Sequence, residues 1–212
     1  MVRVGELIVF AGVCLVLAMV PGPGAMVVLR QAVRHHRGAA LLAVLGNEVA
    51  LVVWGIAAAT GLSALIEASE VAYEVMRFAG AGVLVYLGIR ALVEARRPAG
   101  TGVPVAPGAP VEAGRWKPFL LGLTANLTNP KAAVFALSFL PQFVRPGEPA
   151  FVTMVLLSVV WAVVDACWFV AVVFLVDRAK VYLARAAVWR RLSQASGVVL
   201  IGMGLRVTLE GR

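Results

Sequence analysis

Six predominantly apolar stretches follow one another along the chain, near residues 5–29, 39–66, 71–93, 116–141, 150–176 and 194–210. A bilayer core of about 30 Å takes roughly 20 residues of α-helix at ~1.5 Å each. The pattern therefore predicts an all-α integral membrane protein with about six transmembrane helices. Residues 97–114 interrupt the series with four prolines and four glycines, through which no helix runs, and read as a flexible linker. The chain is expected to form one transmembrane domain, 1–212, built from a three-helix segment 1–96, the linker 97–114 and a second three-helix segment 115–212. The run from Leu7 to Val20 has a weakly charged front end, Arg3 against Glu6, and more apolar sequence behind it, so it reads as a retained first span and not as a signal peptide.

Composition strengthens this picture. Of 212 residues, 61% are hydrophobic and 14% charged, against roughly 45–50% and about 25% in soluble domains. A net charge of +8 could suggest a nucleic-acid binder, but such proteins carry Lys and Arg as a patch on a polar domain. Here the basic residues sit between apolar runs, so the expected partner is the lipid bilayer and no nucleic acid. Three loops on one side carry thirteen of them: Arg30, Arg34 and Arg37; Arg90, Arg96, Arg97, Arg115 and Lys117; Arg178, Lys180, Arg185, Arg190 and Arg191. Five, namely Arg3, Arg77, Arg145, Arg206 and Arg212, lie on the other side with the acidic hairpin Glu67, Glu70 and Glu74. Basic residues in short loops stay cytoplasmic, which places both termini outside the cytoplasm.

The two halves resemble each other. Gly88-Ile89-Arg90 ends the third span and Gly204-Leu205-Arg206 the sixth, at an offset of 116, with small residues ahead of both at Gly80 and Gly82 and at Ser196 and Gly197. Proline interrupts the first span at Pro21-Gly22-Pro23 and the fourth at Asn129-Pro130, at an offset of 109. Because each half has three spans, the repeats enter the membrane from opposite sides, the inverted plan of many secondary transporters.

Proline removes a backbone donor and clashes with the preceding turn, so helices 1 and 4 should be broken, restarting at Gly24 and at Lys131. Irregular backbone at membrane depth is tolerated where it is buried or lines a cavity, and restarted helices present N–H groups suited to a carboxylate. Pro21, Gly22, Pro23, Gly24, Asn129, Pro130 and Lys131 are thus candidate substrate-binding positions, with Lys131 either meeting a ligand carboxylate or pairing with an acidic neighbour. Asn47 and Glu48 fall about ten residues into the second span and Asp165 lies in the fifth between Trp161 and Trp168. Carboxylates at that depth are expensive and usually functional: Glu48 and Asp165 are candidates for binding a substrate ammonium, carrying a coupling proton, or neutralising Lys131. Asn126, with Thr124 and Thr128, could bond a ligand or satisfy backbone freed by the break.

Other chemistries are poorly served. His35 and His36 lack partners at metal-ligand spacing, no phosphate loop, dinucleotide fingerprint or nucleophile–base pair occurs, and no cofactor is expected. Cys14 and Cys167 sit in apolar stretches and read as buried hydrophobes; a membrane thiol–disulfide enzyme using them is a remote alternative, and an exporter of metal or other inorganic ions a nearer one.

The Pro21-Gly22-Pro23-Gly24 segment, the basic loop with Gly38, Tyr86-Leu87-Gly88, and Asn126-Leu127-Thr128-Asn129-Pro130-Lys131 with Phe135 and Pro141-Gln142-Phe143 resemble hallmark stretches of the lysine exporter and homoserine/threonine exporter superfamily. The resemblance implies a secondary exporter, not an enzyme, that moves amino acids or close derivatives out of a bacterial cytoplasm through the inner membrane. It also implies a proton gradient or membrane potential as the driving force, with Pro21, Pro23, Asn129, Pro130 and Lys131 shaping the pathway. Asn47-Glu48 departs from the threonine-type branch and resembles the acidic position of basic amino-acid exporters, so neutral and cationic substrates both stand. Small residues such as Gly80, Gly82 and Gly88 could pack spans within one chain or between two.

Overall fold

In the computed structural model the backbone is described for residues 4–20, 22–34, 36–68, 116–144 and 148–183, together with separate helical positions between 75 and 96 and between 190 and 205. Pro21, His35, the linker 97–114 and much of the third and sixth apolar stretches lie outside the described residues. The elements are α1 (Val4–Met19), α2 (Pro23–Arg34), α3 (Arg37–Ala68), α4 (Lys117–Leu127), α5 (Pro130–Phe139), a 3-10 turn (Leu140–Phe143) and α6 (Ala150–Leu183). Among the described residues there is no strand.

Two helical segments are long and apolar enough to cross a bilayer alone, Arg37–Gly61 with mean hydropathy 1.9 and Ala150–Leu175 with 2.3. A third candidate is the pair α1 and α2, which meet at 62°. The fourth apolar stretch is divided into α4 and α5, of 11 and 10 residues, each too short to span by itself. Both breaks fall where the prolines are, with one correction: the helices restart at Pro23 and Pro130, one residue before Gly24 and Lys131. Proline fits the first helical position, where its missing N–H would be unpaired anyway and its fixed φ already matches the helix.

The helices converge on α3, which packs most extensively against α6 and α4. Glycine sets the α3–α4 distance. A Cβ at Gly46 would collide with the Phe119 carbonyl, and one at Gly122 with the Ala43 carbonyl, so the two backbones touch. Gly55 admits Ser158 of α6 in the same way. Two apolar clusters fill the interior: one centred on Phe10, Phe135, Phe139, Leu140, Met154 and Trp161, the other on Val28, Ala40, Ala43, Phe169 and Val173. Ile8, Val53, Ile56, Val152, Leu156 and Val163 face outward, as expected where the surroundings are lipid rather than water.

Candidate functional site

The break between α4 and α5 is stabilised from within. Asn129 caps α5, its Oδ1 accepting from the Lys131 backbone N–H at 3.0 Å, and its Nδ2 donates to Asn126 Oδ1 at 3.0 Å. Asn126 Nδ2 donates in turn to the Asn47 carbonyl of α3 at 3.2 Å, while the Asn126 carbonyl, at the end of α4, accepts from the Asn129 N–H at 3.1 Å and from Trp54 Nε1 at 3.3 Å. Asparagine suits this role because one short side chain both donates and accepts.

Lys131 joins the two breaks. Its ammonium donates to the Leu17 carbonyl at 3.1 Å and the Val20 carbonyl at 3.2 Å, closing the C-terminal end of α1, where the last carbonyls lack full helical partners. The ammonium's hydrogen bonds go to backbone carbonyls because the broken end of α1 presents an oxygen cluster to α5, while Asp165 is near enough to attract its charge. Two of the three ammonium donors are engaged, so one N–H is left for a ligand.

Asn47 is the hub of the acidic side. Its Nδ2 donates to Asp165 Oδ2 at 3.0 Å and to Glu48 Oε1 at 3.2 Å, and its Oδ1 lies where a Cβ on Gly24 would be. Asn47, Glu48 and Asp165 are all buried, near the middle of their spans, as the count along each helix required.

Leu17, Val20, Gly22, Gly24, Asn47, Asn126, Asn129, Lys131 and Asp165 line one cavity at the junction of the breaks, walled on its apolar side by Leu51, Ala132, Trp161 and Phe169. The cavity is narrow, about 20 Å³, on the scale of a water molecule. Of the predicted positions, Pro23 and Pro130 are exposed and do not line it, and Glu48 sits behind Asn47. Thr124 and Thr128 turn away, their hydroxyls bonded to the Leu120 and Thr124 carbonyls at 2.7 and 2.8 Å. Trp161 and Phe169 escaped the sequence reading as site residues, although they stand four positions before and after Asp165, on the same helical face. Cys14 is a buried thiol in the core and Cys167 an exposed one on α6; both are free.

The model of the LysE type translocator family matches residues 15–211, so it takes in both helix breaks, Asn47 and Asp165. The chain belongs to this family. Among LysE relatives, it is 29% identical to the homoserine/homoserine lactone efflux protein of Salmonella typhi, over 89% of this chain and 88% of that one. It is 30% identical to the leucine efflux protein of Klebsiella pneumoniae, over 68% of each, and 21% identical to the membrane protein YrhP of Bacillus subtilis, over 97% of this chain and 99% of that one. No solved structure matches. As a LysE translocator, the protein is a membrane transporter, and its polar cavity is the natural place to seek the substrate.

Gly24 offers a test of that cavity. Gly24→Ala would push the Asn47 amide off its position, disturbing two hydrogen bonds of about 1 kcal/mol or more each. Transport by this variant, measured as efflux from loaded cells, is expected to fall on the order of ten-fold with membrane levels near those of wild type. Unchanged efflux would mean that Asn47 need not hold this pose.

Proposed function

We propose that this protein exports neutral amino acids from the bacterial cytoplasm across the inner membrane, using the proton gradient or the membrane potential. The observation that carries the reading is the cavity at the two helix breaks, which holds Lys131 and Asp165 together with apolar walls from Leu17, Leu51, Trp161 and Phe169. Lys131, the N-cap region of α5 and Gly22 and Gly24 suit a substrate carboxylate, Asp165 suits its ammonium, and Asn47, Asn126 and Asn129 hold the frame. Glu48 behind Asn47 is poorly placed to meet a cationic side chain, which favours neutral substrates over lysine or arginine. Relatives whose names specify homoserine and leucine efflux point the same way.

The mechanism is alternating access between two inverted repeats, 1–96 and 115–212. A cavity of about 20 Å³ must widen before an amino acid enters, and the two clusters flanking it differ in a way that suits gates. On one side Phe10, Phe135, Phe139, Phe143 and Trp161 pack with ring centroids 4.6–5.8 Å apart. On the other, three buried alanines, Ala25, Ala40 and Ala43, pack with three buried valines and a single buried aromatic ring, Phe169. With the termini outside the cytoplasm, as the distribution of basic residues supports, the aromatic cluster is the outer gate.

The test is efflux from a bacterial strain lacking its own exporters and loaded with dipeptides. Faster appearance of leucine, homoserine or threonine outside the cells is expected with the protein present. Faster efflux of lysine or arginine, lost in Glu48→Gln, would reassign the substrate to the basic class. If no amino acid moved, inorganic-ion export would replace this reading.

A further inference from the structure

We infer that Glu48 and Asp165 are equivalent positions of the two halves and together form one cation site, in which a single proton and the substrate ammonium are alternative occupants. The inference rests on the export reading above. Its first support is positional. The offset of 116 pairs Gly88 with Gly204 and Ala81 with Gly197. In the structure Gly88 packs against Gly197, and Gly204 against Ala81, each with an ideal Cβ 2.7 Å from the partner's carbonyl oxygen. Exchanging the halves converts one contact into the other, as a two-fold relation between antiparallel helices requires. The α3–α6 pair is also antiparallel, since Asn47 meets Asp165 and Gly55 meets Ser158. Glu48 and Asp165 stand 117 positions apart, one residue from that offset, where α3 and α6 cross.

The second support is chemical. One amide nitrogen, Asn47 Nδ2, supplies a hydrogen to each carboxylate, so the two face each other across a single group. Glu48 Oε2 is buried and has no hydrogen-bond partner, in a residue only 8% exposed. An unpartnered buried carboxylate oxygen is costly, and two carboxylates sharing one amide more so. One bound cation relieves both. Lys131 gives its hydrogen bonds to the Leu17 and Val20 carbonyls, while its charge also attracts Asp165 through space and so offsets part of the pair's repulsion. Also on the elements packed around the pair, Cys14 on α1 is buried and Cys167 on α6 is exposed, neither in a disulfide; Glu6 of α1 is half-buried, and Arg30 of α2, Arg37 of α3 and Lys117 of α4 are exposed.

Only Asp165 of the two lines the cavity, so a substrate ammonium reaches the pair through Asp165. As the ammonium forms N–H···O bonds there, the carboxyl O–H breaks and its proton passes to water on the open side. On the other side the substrate leaves and a proton from water restores the O–H. The pair carries one positive occupant throughout, and each amino acid exported is exchanged for one proton.

The full-length purified protein in weakly buffered detergent with a pH indicator tests this, with L-leucine and L-homoserine as probes. About one proton released per amino acid bound is expected, and the dissociation constant should rise about ten-fold per unit fall in pH where the pair is protonated. Glu48→Gln is expected to bind with a dissociation constant insensitive to pH. Binding without proton release would overturn the shared site and leave the export reading standing; release unchanged in Glu48→Gln would remove Glu48 from the site. If neither these nor any other standard amino acid bound, the export reading would fall and the inference with it. Should Glu48→Gln not fold, proton release and the pH slope of the wild-type protein decide alone.

Discussion

Lys131→Ala should lower efflux on the order of 100-fold while leaving the protein in the membrane at near wild-type level. The ammonium makes two bonds to the open end of α1, at 3.1 and 3.2 Å, and hydrogen bonds from a charged donor contribute about 1.5–3 kcal/mol each. Alanine removes both and leaves the Leu17 and Val20 carbonyls without that donor. It also removes the cation that the proposed substrate carboxylate would meet. Initial efflux rates of the substrate established for the wild-type protein, normalised to protein in isolated membranes, measure the effect. Lys131→Arg separates its two components: a longer guanidinium can still reach carbonyls but cannot occupy the same point beside Gly22, where a Cβ would already lie 3.5 Å from the Lys131 Nζ. Wild-type efflux by Lys131→Ala would remove this residue from the transport site altogether.

The second large effect is on stability, at the α3–α4 crossing. Gly122→Val would drive a branched side chain into the Ala43 carbonyl, a backbone atom of a helix that cannot swing aside. Overpacking costs typically 1–3 kcal/mol and occasionally more, and the upper end applies where the obstacle is main chain. For a chain of this length 1 kcal/mol corresponds to roughly 2–4 °C in Tm, so a fall on the order of 10 °C is expected, read by thermal unfolding of the purified protein. Gly12→Ala is the control. A Cβ there meets nothing within 4 Å, and replacing glycine inside a helix with alanine is neutral or stabilising by up to about 1 kcal/mol. Equal losses from both variants would mean that the close approach of α3 and α4 does not limit stability.

Local chemistry was legible wherever one residue type dictates backbone behaviour. The breaks fell between Met19 and Pro23 and at Asn129-Pro130 because a missing N–H acts within a single turn. The place of Asn47 and Glu48 well inside α3 followed from counting along the second span. What stayed illegible were partners brought together from remote positions. Asn47 and Asp165 are 118 residues apart and share a hydrogen bond; Lys131 reaches carbonyls 111 and 114 residues away. That Lys131 also bonds backbone carbonyls was not legible, because backbone carbonyls carry no signature in a sequence. Likewise Asn47 and Glu48 are adjacent, and which of them faces the cavity depends on the rotation of α3 against α6.

By itself, then, the sequence determined that this chain is helical, belongs in a bilayer, breaks two of its helices and carries charge at membrane depth. Those properties depend on hydrophobicity and on proline, which act over one helical turn or one span. The tertiary structure alone decided that the breaks meet, that Asn47 bridges two carboxylates, and that Lys131 closes the end of α1. These depend on how closely helices approach, set by glycines such as Gly46 and Gly122 whose partners lie in another segment of the chain.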